Sequence, residues 1–468
     1  MIKYLFIIGS LLMFSCNSPH NRGKGEVTPV FTGKEGEVKL IVLDPGHFHA
    51  SLLQKNSLPL LNDSVFVYAP DSAGIRQYLS AIDVYNHREK DPTSWVENVY
   101  TGSDFMEQMI RNKRGNVVLL AGNNRDKTQK ISTAAGAGLH VLSDKPMAIN
   151  SDNFRMLESA YADSKEKGVM LYDMMTERYD LLNIIARYLI NDEPIFGTLQ
   201  HGTEEDPAIW MESVHHFYKE VSGAPLIRPA WYYDVEQQGE GIADVTTHLI
   251  DLIFWSCFPE TAIDYKEDIQ LISASHWPTS LSLTDFTRST KSDTFPDYLH
   301  KYLDQDMLHV YANGIINYQV NDVHIRLKVL WNYQAPEGGG DTFTSIIKGT
   351  NASLSIIQNR EQHFIKQLYI QKGDNTDKEI FIHCLADRIK LLQDEYPFIS
   401  FRETSEGVFL IDIPTEMRED HEAHFKYVAQ QFFDFLKEGK MPEWEISNTL
   451  AKYYITTKAV EIAKESAK

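Results

Sequence analysis

Between residues 38 and 174 the chain repeatedly sets a short apolar run before an amphipathic stretch, and this alternation restricts the fold more than any other feature. The runs at 38–43, 65–68, 96–101, 117–121, 140–142 and 169–174 have strand length. Helix signals stand between several of them. Ser103-Asp104 reads as an N-cap for a helix through Arg111, and Ser151 as the cap of a helix to about Lys167. Apolar strands without polar alternation, joined by helices, require a parallel sheet covered on both faces.

The expected first domain, residues 37–176, is therefore a doubly wound sheet of Rossmann type. Such sheets bind ligands outside the carboxyl ends of their strands. The unusual residues fall at those ends: Asp44-Pro45-Gly46-His47, Asp71, Asn123 and Lys145. The rest, 177–468, opens with a helix over 181–191 and has an apolar helix after Gly241. Strand patterns follow at 323–331, 342–348 and 354–358, with helices at 425–436 and 446–463. This predicts an α+β domain on a large mixed or antiparallel sheet. Gly338-Gly339-Gly340 reads as a hairpin loop.

Ahead of the sheet, Lys3 precedes an apolar run over 4–14, and Ser15-Cys16 ends it. The run is too short to span a bilayer and suits a signal h-region. We expect a lipoprotein signal over 1–16, a lipid on Cys16, a polar tether over 17–36, and export to the periplasmic face of a bacterial membrane. Cys257 and Cys384 remain, too few for a disulfide framework, and Cys257 reads as a buried thiol. Lys plus Arg number 45 against 65 Asp plus Glu, a net charge of −20, which argues against nucleic acid.

The densest chemistry lies in 239–255. Asp244, His248 and Asp251 stand at i, i+4 and i+7 on a helix that is otherwise nearly all apolar. A carboxylate and an imidazole are costly there unless paired or used. Before this motif, Trp210, Phe217, Tyr218, Trp231, Tyr232 and Tyr233 cluster, and aromatic faces stack well on sugar rings. Trp231, Tyr233 and Arg178 are taken as substrate-side candidates.

With these motifs in place the chain resembles the glucose–fructose oxidoreductase, inositol dehydrogenase and rhizopine-catabolism family (GFO/IDH/MocA). That family carries E-K-P after its fifth strand and G-G-G-x-x-x-D-x-G-x-H-x-x-D at the start of its second domain. Here the first reads Asp144-Lys145-Pro146, preceded by Gly138-Leu139-His140-Val141-Leu142. The second reads Gly239-Glu240-Gly241, then Asp244, His248 and Asp251. The likeness extends to Pro229-Ala230-Trp231-Tyr232-Tyr233-Asp234, to Lys348-Gly349-Thr350 and to 432–442 and 459–467, so it covers nearly the whole chain after the tether.

The resemblance implies NAD or NADP as cofactor, a sugar or glycoside as substrate, and a homo-oligomer. It implies that Lys145 lies beside the nicotinamide and the substrate hydroxyl, and that Asp244 and His248 contact the sugar and move the proton. The chemistry agrees: removing hydride from a secondary alcohol needs a base on the hydroxyl and a cation beside the developing oxygen charge. The chain departs from the family at the glycine fingerprint, which reads Asp44-Pro45-Gly46-His47-Phe48-His49 and keeps only its middle glycine. Gly46, His47, Phe48, His49, Asp71, Asn123 and Lys145 are the cofactor-side candidates. Outside the cytoplasm free nicotinamide is scarce, so the cofactor is expected to be tightly bound and recycled in place. Oxidation at C3 to a keto-glycoside is the favoured reaction. The alternative is a glycosidase or lyase that oxidises the ring and cleaves by elimination.

A third reading is a metal-dependent enzyme. His47 and His49 at i, i+2 after a strand can share a face and ligate a metal, with Asp44 or His215-His216 as further ligands. No metal is assigned on this reading of the sequence. His421 and His424 read as a solvated helix start.

Overall fold

The computed structural model describes residues 31–221 and 224–466. The expected signal at 1–16 with Cys16, and most of the 17–36 tether, lie outside the described residues. Among the described residues no helix is long and apolar enough to cross a membrane.

Six strands, β1 (Leu40–Leu43), β2 (Ser64–Ala69), β3 (Val96–Thr101), β4 (Val117–Leu120), β5 (His140–Ser143) and β6 (Leu171–Asp173), form a parallel sheet in the order β3-β2-β1-β4-β5-β6. The crossovers contain α1 (His49–Leu52), α2 (Ala73–His87), α3 (Phe105–Asn112), α4 (Lys127–Gly136) and α5 (Ser151–Lys167). The central strands β1, β4 and β5 are buried throughout, which explains their unbroken apolar runs. β3, at the edge, is largely exposed. The cap of α5 is Asn150 rather than Ser151: its side chain accepts from the Asn153 amide. Strand order reverses between β1 and β4, so their carboxyl ends open a crevice.

The second region begins with α6 (Leu181–Ile190) and α7 (Glu193–Phe196), then the long strand β7 (Ile209–Tyr218). A small pair, β8 (Glu220–Val221) and β9 (Ala224–Pro225), precedes α8 (Gly241–Asp244) and α9 (Thr246–Cys257). Next come β10 (Ile269–Leu281), α10 (Leu283–Thr290), β11 (Leu303–Asp304), β12 (Met307–Val320), β13 (Val323–Gln334), β14 (Thr342–Lys348), β15 (Ala352–Gln358) and β16 (Gln367–Lys372). The chain closes with α11 (Lys378–Leu392), β17 (Ser400–Ser405), β18 (Val408–Asp412), α12 (His424–Glu438) and α13 (Glu443–Ser466).

These strands build one large mixed sheet, ordered β10-β12-β13-β7-β14-β15-β16-β18-β17. β13 and β7 run parallel, and the other neighbours run antiparallel. β13 and β14 flank β7 from opposite sides, so Gly338-Gly339-Gly340 lies in a crossing connection and not in a hairpin. β12 and β13 alternate buried and partly exposed residues. Their buried face, including Ile316, Ile325 and Leu327, packs with Ile250, Ile253 and Phe254 of α9.

The final helices return to the first sheet. Phe425, Val428, Phe432 and Leu436 of α12 share a core with Val38, Leu40, Val42 and Val67. Burying four such side chains is worth roughly 6–12 kcal/mol before ordering costs.

Candidate active site

Lys145 follows β5, at the mouth of the crevice, and its bond to Pro146 is cis. Asp244 ends α8, which is seated close against β12: a Cβ on Gly241 would lie 1.8 Å from the Ala312 carbonyl oxygen. Gly239 has φ +95°, a conformation that favours glycine. The expected single helix is thus two pieces, α8 and α9, meeting at Val245. This seating brings Asp244 Oδ1 to 2.6 Å from Lys145 Nζ. Burial alone would lower the lysine, but the Asp244 and Asp144 carboxylates outweigh it and hold the ammonium charged.

His248 stands one turn beyond Asp244, and its buried Nδ1 has no hydrogen-bond partner. Burial first, and the Lys145 charge second, push it down to about 3, so it is a neutral imidazole with a free nitrogen. Glu177, in the turn after β6, accepts from Lys366 Nζ at 3.0 Å and pairs with His421 Nδ1 at 3.5 Å. Burial opposes its ionisation, yet Lys366 and His421 keep it well below the usual carboxylate range. Its carboxylate acts on His248 in the opposite sense, favouring the protonated ring. Glu177, Lys366 and His421 were not legible as site residues: they come from three distant segments, and only the fold collects them.

At the other side of the crevice, the carboxylate of Asp144 accepts from His49 Nδ1 at 3.0 Å and lies 3.6 Å from His47 Nδ1. Burial lowers both imidazoles, so they are neutral, while Asp144 stays ionised against its own burial through His49 and Lys127. Lys127, pushed down to about 8 chiefly by burial, donates to the Asp144 carbonyl at 3.0 Å.

The remaining cofactor-side candidates lie around the switch point. Asp44 takes φ +48° where the family has its first glycine, and pairs with Lys130. Gly46 permits contact between the two loops: its Cβ would sit 3.4 Å from Gly122 Cα. The Gly46 and His47 amides both donate to the Ala121 carbonyl, at 3.1 and 3.2 Å, so this loop closes on β4. Phe48 is half exposed at its tip. Asp71, beyond β2, is an exposed carboxylate paired with Arg76 at 2.7 Å. Asn123 donates to Gln237 Oε1 at 2.8 Å and ties the loop after β4 to the segment before α8.

Three other candidates are used in packing. Arg178 is buried, donating to both Asp251 oxygens and to Glu445, each at 2.7 Å, and does not serve the cleft. Asp251, the third member of the motif, therefore belongs to this ion network rather than to Asp244 and His248. Tyr233 is fully buried with its hydroxyl on Ser289 at 2.6 Å, and its ring stacks 5.1 Å from Phe217. Tyr232, between Trp231 and Tyr233, is the aromatic whose hydroxyl feels the Asp244 charge. Trp231 remains half-buried beside it, 6.4 Å between centroids. Cys257 is a free thiol that is half-buried rather than buried, and desolvation pushes it up to about 12.

Comparison with known proteins places this arrangement. The model of the family described as "Putative oxidoreductase C terminal domain" matches residues 185–464. The crystal structure of a "putative oxidoreductase" from Parabacteroides merdae is 47% identical, covers 94% of this chain and 100% of its own, and superposes with a TM-score of 0.91. Levoglucosan dehydrogenase, in complex with NADH and levoglucosan, shares the fold at 16% identity, with 92% of this chain and 97% of its own covered and a TM-score of 0.57. GenD2 from gentamicin A biosynthesis, in complex with NAD, does so at 14% identity, with 94% and 98% covered and a TM-score of 0.56. No curated protein matches the chain. The chain belongs to the oxidoreductase family of that C-terminal domain, and with it to the GFO/IDH/MocA-like oxidoreductases.

Proposed function

We propose that the chain is an NAD(P)-dependent oxidoreductase that acts on a secondary hydroxyl of a sugar or glycoside, with oxidation at C3 to a keto-glycoside as the favoured reaction. The observation that carries this reading is the ammonium of Lys145, held by Asp244 at 2.6 Å, beside the unpartnered Nδ1 of His248 at the carboxyl end of β5. Levoglucosan dehydrogenase, in complex with NADH and levoglucosan, supports the cofactor and the substrate class, and GenD2, in complex with NAD, supports the cofactor.

The residues at the crevice fit a dinucleotide. Gly46 and Gly122 let the loops after β1 and β4 meet, and an orphaned buried nitrogen marks the reacting end. Phe48, Asp71, Asn123 and Lys145 would hold it. A bound nicotinamide would supply the acceptor for the hydride of the carbinol carbon. Lys145 stabilises the negative charge that develops on the substrate oxygen, a contribution worth several kcal/mol in a dry site. His248 Nδ1 takes the hydroxyl proton, and the carbinol becomes a ketone. Asp244 keeps Lys145 charged and aimed.

Glu177 and His421 favour one second reading. Cleavage by oxidation and elimination needs another base to remove the C–H proton next to the new ketone, and this pair offers a carboxylate on the same site. The signal at 1–16 and a lipid on Cys16 would set either reaction outside the cytoplasm, consistent with a cofactor that stays bound and is recycled by a keto-sugar acceptor. A homo-oligomer completes the reading.

The test is chemical. Protein purified without added cofactor is denatured and its supernatant assayed for nicotinamide dinucleotide, and the intact protein is then incubated with simple glycosides. A keto-glycoside product supports oxidation, and a released aglycone supports elimination. No dinucleotide after loading with NAD and NADP, and no product, rejects both.

A further inference from the structure

The loop that departs most from the family assembles a different chemistry. His47 and His49 are two residues apart after β1, and Asp144 comes from the end of β5, yet their ligand atoms all lie within 4.8 Å of one another. Asp144 Oδ2 is 3.0 Å from His49 Nδ1 and 3.6 Å from His47 Nδ1. The two imidazole planes cross at 88°, with centroids 4.2 Å apart. A tetrahedral ion bonded to nitrogen and oxygen at about 2.0–2.1 Å separates its ligand atoms by roughly 3.3 Å. The two measured separations fall on either side of that value.

We propose that His47, His49 and Asp144 form a binding site for a divalent first-row transition metal, of the zinc type. Two imidazole nitrogens and one carboxylate oxygen suit such ions, whereas magnesium and calcium prefer oxygen ligands throughout. The cluster is built rather than superficial. Asp144 is 6% exposed and His49 10%, while His47, at 25%, marks the open side. The His49 ring is backed by Phe425, with centroids 4.7 Å apart. Lys127 donates to the backbone carbonyl of Asp144 and leaves its carboxylate free. Lys145, the nearby cation, is countered by Asp244.

Without an ion, His49 Nδ1 donates its proton to Asp144. On binding, the His49 Nδ1 proton leaves to solvent and Nε2 takes one up, so each ring turns an Nδ1 lone pair to the metal and carries its single proton on Nε2. Three protein ligands leave at least one position open. A phosphate or hydroxyl oxygen would enter there from the side of His47, the most exposed of the three. The Gly46 and His47 amides already donate to Ala121, so the metal would restore positive charge where the loop has lost free donors.

The experiment uses the full chain, stripped with chelator, given zinc and passed through a desalting column, with metal counted by mass spectrometry. Cobalt substitution gives a visible absorption band as a second readout. About one zinc per chain is expected, with affinity lowered about tenfold or more in H47A, whose ring is the most open of the three. D144N, close to isosteric, repeats the test should H47A unfold. Absence of retained zinc in the wild-type chain overturns the proposal, as does equal retention in the folded variants, which would place the metal on surface histidines or thiols. No dinucleotide is added, so a failure here leaves the oxidoreductase reading standing, and failure of that reading leaves this count unchanged.

Discussion

Lys145 Nζ donates to Asp244 Oδ1 across 2.6 Å, and this bond spans the two halves of the molecule: the end of the parallel sheet and helix α8, seated on the mixed sheet. Under the proposed reaction, the pair marks where an alkoxide would be stabilised. K145M should reduce turnover about 10²–10⁴-fold and leave glycoside binding within a few-fold, since it removes charge stabilisation needed mainly in the transition state. Single-turnover rates beside equilibrium binding check this, and an equal loss in both would mean that Lys145 only binds.

Under the proposed reaction, His248 should set the acid limb of turnover. With its imidazole pushed down to about 3 by burial and then by Lys145, the limb should lie below about pH 5 and not near 6.5, where an ordinary histidine would put it. K145M removes a positive neighbour, so the residual activity should show that limb moved upward. A pH profile of kcat/KM for both chains decides it, and a limb unmoved by the substitution would separate His248 from Lys145.

A second histidine links pH to stability. His140, 8% exposed, accepts from the Met170 amide at 3.1 Å and is lowered to about 4 by burial. Its unfolded value is near 6.5, so between these limits the unfolded chain binds the extra proton. Its contribution is complete above about pH 6.5, falls progressively as pH drops towards 4, and is gone below that. Between pH 7 and 4.5 this one group should remove about 2–3 kcal/mol of stability. Urea unfolding at both pH values, for wild type and H140Q, should show the smaller loss in the variant.

Two glycines in helices should behave oppositely. A Cβ at Gly241 would lie 1.8 Å from the Ala312 carbonyl oxygen, a backbone atom that cannot swing away, so G241A should cost about 3 kcal/mol. At Gly136, the last residue of α4, a Cβ meets nothing within 4 Å. G136A should stabilise by about 0.5–1 kcal/mol through the unfolded state. Thermal unfolding of the two variants compares them directly, and a stable G241A would show that α8 is not seated as described.

What the sequence disclosed follows from how local each signal is. β1, β4 and β5 were readable because each is a run buried on both faces, and the meeting of Lys145 with Asp244, one turn before His248, was foreshadowed by their surviving motif spacing. The alternation of β13 was readable because one face of its sheet packs on α9. Arg178 and Tyr233 were misplaced because a buried arginine ion-paired to Asp251 and Glu445, and a buried tyrosine bonded to Ser289, look like cleft residues in a string of letters. His421 was read as solvated, but it stands against Glu177 and its ring is 5.8 Å from that of His49. No local pattern encodes that meeting, since α12 must first cross back onto the parallel sheet.

That return of the C-terminal helices depends on one buried cation. Lys452 of α13 is fully buried and bonds Asp173 at 2.9 Å and Asp251 at 3.0 Å, while Tyr453 donates to Asp173 at 2.7 Å. Asp173 ends β6 and Asp251 lies on α9, so one ammonium joins the first sheet, the helix behind the site and the last helix. Burial opposes its charge, but the two carboxylates hold it protonated. K452M keeps the volume and removes the counterion, leaving Asp173 without its cation and Asp251 with Arg178 alone. The expected loss is about 3–5 kcal/mol, the cost of breaking a buried pair from one side. Because Asp251 lies one turn from His248 on α9, catalysis should suffer at temperatures where the chain is still folded. Measuring the urea midpoint together with turnover well below it tests both claims. A chain of wild-type stability would mean that Arg178 and Tyr453 suffice, and that the ammonium is not what fixes α13 to the sheet.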